Sequence, residues 1–395
     1  MKDIINKGQE VFMKNYKPLP IVIDHGIGNY VYDMEGKAYL DFVAGIATNS
    51  LGYSYEPLKE AIKAQVDKFT HCSNLYFNEP SVIAAELLVK LSGLDQVFFC
   101  NSGAEANEAA FKLAKRYINL YVDDKKHKIV SMKNSFHGRT IATVSATGQT
   151  KYHEGFSPLF QGISYTAFND IEALEASLDS ETAILVIEPI QGEGGIRPAE
   201  KLFLQKARSL CDAMDIVLIF DEVQCGIGRT GKVFAYENYE VKPDIVSLAK
   251  GLGGGFAIGA IVANAKVAQG FEPGSHASTF GGNPIATTAA KVVLEAMDEG
   301  ELLAGVNKAH DHLKAGLIKL QDKYDDVIEV RGKGLMMALE LKRPVGAIIM
   351  EALEQGLLLI NSGTNIIRFV PPLTITLEEI DLMLTILDQL LAKKE

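Results

Sequence analysis

Two residues able to do covalent chemistry stand at the ends of two successive apolar runs. Ile216-Val217-Leu218-Ile219-Phe220 stops at Asp221, and Ile245-Val246-Ser247-Leu248-Ala249 stops at Lys250. A lysine can form a Schiff base with an aldehyde, and an aspartate can keep a pyridine nitrogen protonated. Together they are what pyridoxal phosphate chemistry requires. Short β-branched runs separated by a longer connection read as buried parallel strands, whose C-terminal ends share the edge where ligands bind. Taken alone, the pair also reads as a loop cap and a solvated strand end.

A phosphate needs its own cradle, and one lies upstream. Val97-Phe98-Phe99-Cys100 reads as a strand, followed by Asn101-Ser102-Gly103-Ala104-Glu105-Ala106-Asn107 and an alanine-rich continuation. Ser102 suits a helix start, Gly103 lets backbone approach a ligand, and the alanines favour helix. Backbone amides at such a start bind phosphate with the help of the helix dipole. An ordinary capped helix would look the same.

The elements that must position these groups alternate along the chain. From about Glu56 to about Glu295, helical patterns are interleaved with short apolar runs, among them Lys128-Ile129-Val130-Ser131, Ala183 to Ile187 and Ile258 to Val262. This alternation predicts a three-layer α/β domain with a mostly parallel sheet. Before it, Gly28 to Asp33 and Lys37 to Asp41 read as a hairpin around Met34-Glu35-Gly36. After about Lys291 an α+β segment follows, with strands near Val327 to Val330 and Ile366 to Val370.

Composition bounds the partners. A chain of 395 residues with 47% hydrophobic and 23% charged residues is long enough for two domains with sizeable cores. A net charge of -11 argues against a nucleic-acid or anionic-membrane partner, so an anionic substrate must meet local positive charge. The four cysteines, Cys72, Cys100, Cys211 and Cys225, show no CxxC spacing, which favours a reducing compartment. Met1 to Lys7 lacks the apolar core of a signal peptide and no run approaches a membrane span, so the expected setting is the cytoplasm.

Three motifs read as decoys. Gly226-Ile227-Gly228-Arg229-Thr230-Gly231-Lys232 has P-loop spacing, but Val233 stands where a magnesium-binding hydroxyl belongs. Gly251-Leu252-Gly253-Gly254-Gly255 lacks the glycine spacing of a dinucleotide turn and reads as a tight turn beside the lysine. His310 and His312 lie on a polar helical stretch and read as a solvated face, so no metal is expected.

Five strings occur together in one order: Asn101 to Ala110, Phe136-His137-Gly138-Arg139-Thr140, Glu188 to Gly195, Asp221-Glu222-Val223-Gln224 and Ser278 to Pro284. In this the chain resembles the class III pyridoxal phosphate aminotransferases, from about Tyr16 to the last helix. Val43 to Ala47, Ser73-Asn74-Leu75-Tyr76 and Arg368 to Leu373 are most similar to the acetylornithine branch of that family. The resemblance implies fold-type I, in which residues 1–55 and 291–395 join into one smaller α+β domain beside a large cofactor-binding domain over 56–290.

The resemblance also implies roles. Lys250 would hold pyridoxal 5'-phosphate and shuttle the proton, and Asp221 would pair with the pyridine nitrogen. Ser102, Gly103 and Ala104 would hold the phosphate, Phe136 would stack on the ring, and Gln224, in the Asp221-Glu222-Val223-Gln224 contact string, would donate to the phenolic oxygen. Thr279 resembles a residue that reaches the phosphate from a partner subunit, which implies a homodimer with shared sites. Arg139, assisted by Ser278, would receive the α-carboxylate of acetylornithine. Arg368 would receive that of glutamate, and Glu193 would neutralise Arg368 otherwise. The reaction implied moves a terminal amino group to 2-oxoglutarate. Ornithine, succinylornithine, 4-aminobutyrate or a lysine-pathway analogue remain alternative donors, and a decarboxylase or isomerase on the same cofactor is the competing class.

Overall fold

The computed structural model describes residues 1–393. Its centre is a seven-stranded sheet in the order Gln96–Cys100, Gly259–Ala263, Ile245–Leu248, Val217–Asp221, Thr182–Ile187, Lys128–Met132, Ile163–Thr166. Neighbours from Ile245–Leu248 to Ile163–Thr166 pair in parallel. Gly259–Ala263 runs antiparallel to both of its neighbours. The sheet is therefore mostly parallel, with one reversed strand that apolar periodicity could not reveal, because a run of buried residues carries no direction.

The strands alternate their side chains between two cores, and this makes the three layers. Leu185, Ile187, Leu218, Phe220 and Leu248 enter one core with Phe203, Leu204 and Ala207 of the Lys201–Ala213 helix. Ile184, Val186, Val217, Ile219 and Ile245 enter the other, against Ala106, Ala110, Phe111 and Ala114 of the Gly103–Tyr121 helix. Truncating a filled position such as Phe220, which is fully buried, costs about 3–5 kcal/mol.

Of two smaller four-stranded sheets, one joins both ends of the chain and the other is drawn from its C-terminal part alone. Ile23–Ile27, Tyr30–Asp33 and Ala38–Asp41 form a meander whose edge is extended by Leu357–Leu358, paired in parallel with Leu40 and Asp41. The turn of the expected hairpin is closed by Asp33 Oδ1, which accepts from the amides of Glu35 and Lys37 at 2.9 and 3.0 Å. Val327–Lys333, Met336–Leu341, Ile366–Phe369 and Ile360–Asn361 form the other sheet, all pairs antiparallel. No helix among the described residues is long and apolar enough to cross a membrane.

The P-loop-like string has a structural use. Arg229 is buried, and its Nη1 donates to the carbonyls of Leu335, at 3.2 Å, and Pro371, tying this loop to the C-terminal sheet. Burial away from any carboxylate pushes its pKa down to about 9. His310 Nδ1 lies 2.9 Å from the Gly334 carbonyl and His312 Nε2 lies 2.6 Å from Asp381.

Candidate active site

Strand alternation decides where Asp221 points. It shares the face of Val217 and Ile219, toward the Gly103–Tyr121 helix, and from that helix Asn107 Nδ2 donates to Asp221 Oδ2 at 2.7 Å. His137 Nδ1 lies 2.7 Å from the same oxygen, and the amide of Val223 donates to Oδ1 at 3.0 Å. Ser247, opposite Asp221 in the neighbouring strand, donates to Asn107 Oδ1 at 2.6 Å and fixes which way the amide faces. Burial opposes a charge on His137, but its hydrogen bond and attraction to Asp221 outweigh that and raise its pKa.

Glu222 goes the other way. The alternation that turns Asp221 toward the helix turns Glu222 to the opposite face, where its oxygens accept from the amides of Ala235 and Tyr236 at 2.6 and 2.7 Å. Burial pushes its carboxyl up to about 8. It does not line the cavity, so its expected contact with the cofactor is not made by its side chain.

Lys250 follows the end of its strand and opens a one-turn 3-10 segment, Lys250–Gly253. Its φ of 45° is left-handed, a conformation that costs a non-glycine residue roughly 1–3 kcal/mol and clusters at functional sites. Burial lowers its pKa. Glu193 and Asp221 oppose the shift and Arg368 adds to it. A lysine so placed holds a neutral, nucleophilic amine more readily than a surface lysine.

Lys250, Asp221, Val223, Gln224, Phe136 and Arg139 line one cavity of about 430 Å³, together with Ser102, Gly103 and Ala104. The Gly103–Tyr121 helix opens onto it. Ser102 caps the helix by accepting from the Glu105 amide at 3.2 Å, which leaves the amides of Gly103 and Ala104 at the helix mouth, without a carbonyl in their own helix to bond. A Cβ on Gly103 would lie 2.6 Å from Val223 Cγ1, so only glycine allows this close packing.

Arg368 and Glu193 do not line this cavity themselves but meet it through Gln224: Arg368 Nη1 donates to Glu193 Oε1 and, at 3.2 Å, to Gln224 Oε1. Gln224 Nε2 lies 3.5 Å from Glu193 Oε1, so this amide is engaged between the two charges. Burial pushes the Glu193 carboxyl up, but Arg368 beside it holds it below its ordinary value. Arg139 is exposed, its guanidinium 4.3 Å from the ring centre of Tyr152 and 5.3 Å from that of Phe136.

Ser278 and Thr279 lie apart from this group. Ser278 Oγ accepts from Asn101 Nδ2 and from the Gly281 amide, at 3.1 and 3.0 Å, and Thr279 is exposed. Neither lines the cavity of its own chain. Two residues quoted only as parts of motifs prove central: His137, and Glu188, whose oxygens accept from the amides of Phe136 and Gly192 at 2.8 and 3.0 Å. Burial raises the Glu188 carboxyl to about 7. Glu188 directly follows the apolar strand Thr182–Ile187, which was an available signal, whereas His137 lies five residues past Lys128–Met132 in a polar loop that gave none.

The family model for aminotransferase class-III matches residues 11–391. The chain belongs to the class-III aminotransferases. It is 50% identical over 391 residues to an acetylornithine aminotransferase of Caldanaerobacter subterraneus subsp. tengcongensis, covering 99% of each chain. It is 44% identical over 370 residues to a succinylornithine transaminase of Photorhabdus laumondii, covering 93% of this chain and 92% of that one. Among solved structures it is similar to N-acetylornithine aminotransferase from Stenotrophomonas maltophilia, with a TM-score of 0.86, 37% identity and 98% of each chain covered.

A class-III aminotransferase works with pyridoxal 5'-phosphate, and the donor set of this cavity fits that group. Helix-start amides suit its phosphate, a buried carboxylate suits its ring nitrogen, an amine of lowered pKa suits its aldehyde, and an aromatic face stands beside them.

Proposed function

We propose that this class-III aminotransferase moves the terminal amino group of N-acetylornithine to 2-oxoglutarate, giving N-acetylglutamate semialdehyde and glutamate, a step of arginine synthesis. The observation that carries the reading is the Arg368–Glu193 pair, which is hydrogen-bonded to Gln224, a residue lining the same cavity as Arg139 and Lys250. A terminal-amine donor has only methylene groups next to its reacting carbon. An arginine facing them must be neutralised, and Glu193 does this. Glutamate has a carboxylate there, and Arg368 receives it once Glu193 has withdrawn. The acetylornithine and succinylornithine relatives support a donor of this shape.

When bound, pyridoxal phosphate supplies an electron sink for the carbon that loses its proton. Lys250 Nζ takes that proton from the substrate carbon bearing the amine. Asp221, braced by Asn107 and His137, presents its carboxylate to a protonated ring nitrogen. Ser102, Gly103 and Ala104 would hold the phosphate, Phe136 would stack on the ring with Val223 nearby, and Gln224 would donate to the phenolic oxygen. Arg139 receives the carboxylate distant from the reacting carbon.

The working unit in this reading is a homodimer, with Thr279 reaching the partner's phosphate. Its support is an exposed apolar patch in which Asn74 donates to the carbonyls of Ser278 and Gly281 at 2.9 and 3.0 Å, joining Leu75, Tyr76 and Phe77 to Phe280. Phe77 is 96% exposed. The free cysteines support a reducing, cytoplasmic setting.

A donor panel with 2-oxoglutarate, following glutamate, tests the substrate. N-acetylornithine is expected to give the highest kcat/KM. A higher value for succinylornithine, ornithine or 4-aminobutyrate would reassign the donor, and carbon dioxide release or turnover without an oxo acid would overturn the reaction class.

A further inference from the structure

The loop that carries Glu193 is pinned at both ends, at Gly192 and at Gly195. The amide of Gly192 donates to Glu188 Oε2 at 3.0 Å, and the Gly192 carbonyl accepts from Ser362 Oγ at 3.0 Å. The same hydroxyl accepts from the amide of Gly195 at 3.1 Å, and the Gly195 carbonyl accepts from Arg331 Nε at 2.8 Å. One buried hydroxyl therefore holds the peptide group before Glu193 and the amide two residues after it. The loop has little room for another path: a Cβ on Gly194 would lie 2.6 Å from the Asn134 carbonyl oxygen, and Gly195 has a φ of 98°.

Ser362 lies in the hairpin that also carries Arg368. Its amide donates to the Ile366 carbonyl at 3.0 Å, and beside it Ile360 and Asn361 pair with Arg368 and Ile367. Arg368 Nη2 donates to the Asn361 carbonyl at 3.4 Å. The hairpin thus fixes the arginine directly and its carboxylate partner through one serine.

We propose that Ser362 is a specificity-determining positioning residue: its hydroxyl locks the Glu193 backbone to the Arg368 hairpin, so that the exchange between the two kinds of substrate is a movement of the Glu193 side chain alone. This rests on the reading of Glu193 and Arg368 given above. With the backbone fixed, Glu193 returns to Arg368 whenever no α-carboxylate is present, which keeps the site receptive to terminal amines. Without the lock, the loop drifts and Arg368 stands open to α-carboxylates more of the time.

The test uses single-turnover rates with N-acetylornithine and with glutamate on the full, cofactor-loaded protein, together with calorimetric binding of glutarate to the cofactor-free protein. Ser362→Ala is expected to shift the glutamate-to-acetylornithine rate ratio about tenfold toward glutamate and to tighten glutarate, the scale set by the two buried hydrogen bonds of that hydroxyl. Ser362→Thr, which keeps a hydroxyl, should restore the ratio toward that of the parent. In a Glu193→Ala background Ser362→Ala should leave the ratio unmoved, because the residue it positions is gone. Equal losses in both half-reactions for Ser362→Ala, with Glu193→Ala still shifting the ratio, would overturn the lock alone. If Glu193→Ala and Arg368→Ala leave the ratio unchanged, the exchange itself is wrong and the lock falls with it.

Discussion

His137 and Asp221 form a hydrogen-bonded pair sealed from solvent, with Nδ1 2.7 Å from Oδ2 and side chains 0% and 4% exposed. Removing His137 takes one of three partners from the buried Asp221 carboxylate, which keeps Asn107 and the Val223 amide, at a cost of about 1–3 kcal/mol. His137→Ala should therefore lower thermal stability markedly and weaken cofactor retention, read by melting with and without pyridoxal phosphate. A melting curve indistinguishable from the parent would show that the pair stabilises nothing.

Asp221→Ala should abolish most turnover while the fold persists. The loss of the electron sink should raise the barrier by several kcal/mol, roughly a thousand-fold in rate. Asn107→Ala, which keeps the carboxylate but removes one donor and leaves Ser247 without its acceptor, should fall between Asp221→Ala and the parent. The check is kcat for the three proteins, and near-normal turnover of Asp221→Ala would remove Asp221 from the mechanism.

Borohydride treatment of the yellow holoenzyme should fix the cofactor on Lys250, as peptide mapping would show. Lys250→Ala should bind cofactor without turnover. Reduced cofactor on another lysine would contradict the assignment that the left-handed backbone at Lys250 supports.

Arg368→Ala should slow the glutamate half-reaction far more than the acetylornithine half-reaction. Loss of a charge-assisted bidentate contact costs on the order of 2–4 kcal/mol. Arg139→Ala should impair both, since each substrate places a carboxylate there. Single-turnover absorbance with each amine measures these effects, and equal losses for Arg368→Ala would leave that arginine a structural residue.

Glu222 makes a prediction about pH and stability separate from catalysis. Burial raises its carboxyl from 4.5 to about 8, so between these values the unfolded chain releases a proton that the folded chain keeps. Stability from this group is therefore greatest below pH 4.5 and declines as pH rises toward 8. Glu222→Gln loses a hydrogen bond to the Ala235 or Tyr236 amide but escapes that penalty. Its melting temperature should lie below the parent's at pH 5, with the gap narrowing by pH 8. A gap that widens with pH would refute the sign.

Asp221 and Lys250 were legible because an apolar run ending in one charged residue leaves few places for that residue to be. The layered fold was legible for the same reason, from the alternation of runs. What period-2 patterning could also have told was that Asp221 and Glu222 leave their strand on opposite faces, which separates a cavity residue from a structural one. The bracing of Asp221 by Asn107 and Ser247 needs strand register, and Ser362 touches Gly192 across 170 residues of chain, which no local pattern encodes. Nor does Val43-Ala44-Gly45-Ile46-Ala47 announce its backbone: Ala44, Gly45, Ile46 and Ala47 all have positive φ, against the steric preference of L-residues. Asp41 Oδ1 supports that turn by accepting from the amides of Val43 and Ala44 at 2.7 and 2.9 Å.

The parallel pairing of Leu357 with Leu40 imposes a schedule on the nascent chain. The meander that Leu40 belongs to emerges from the ribosome early, yet the strand that covers its edge is made more than three hundred residues later. At about 5–20 residues per second, that edge waits tens of seconds for its partner. The central sheet draws all its strands from residues between those two points, and its longest wait, that of Gln96–Cys100 for Gly259–Ala263, is about half as long. During synthesis the sheet that carries Asp221 is therefore complete while the meander edge is still open, a template on which another unfinished chain could pair.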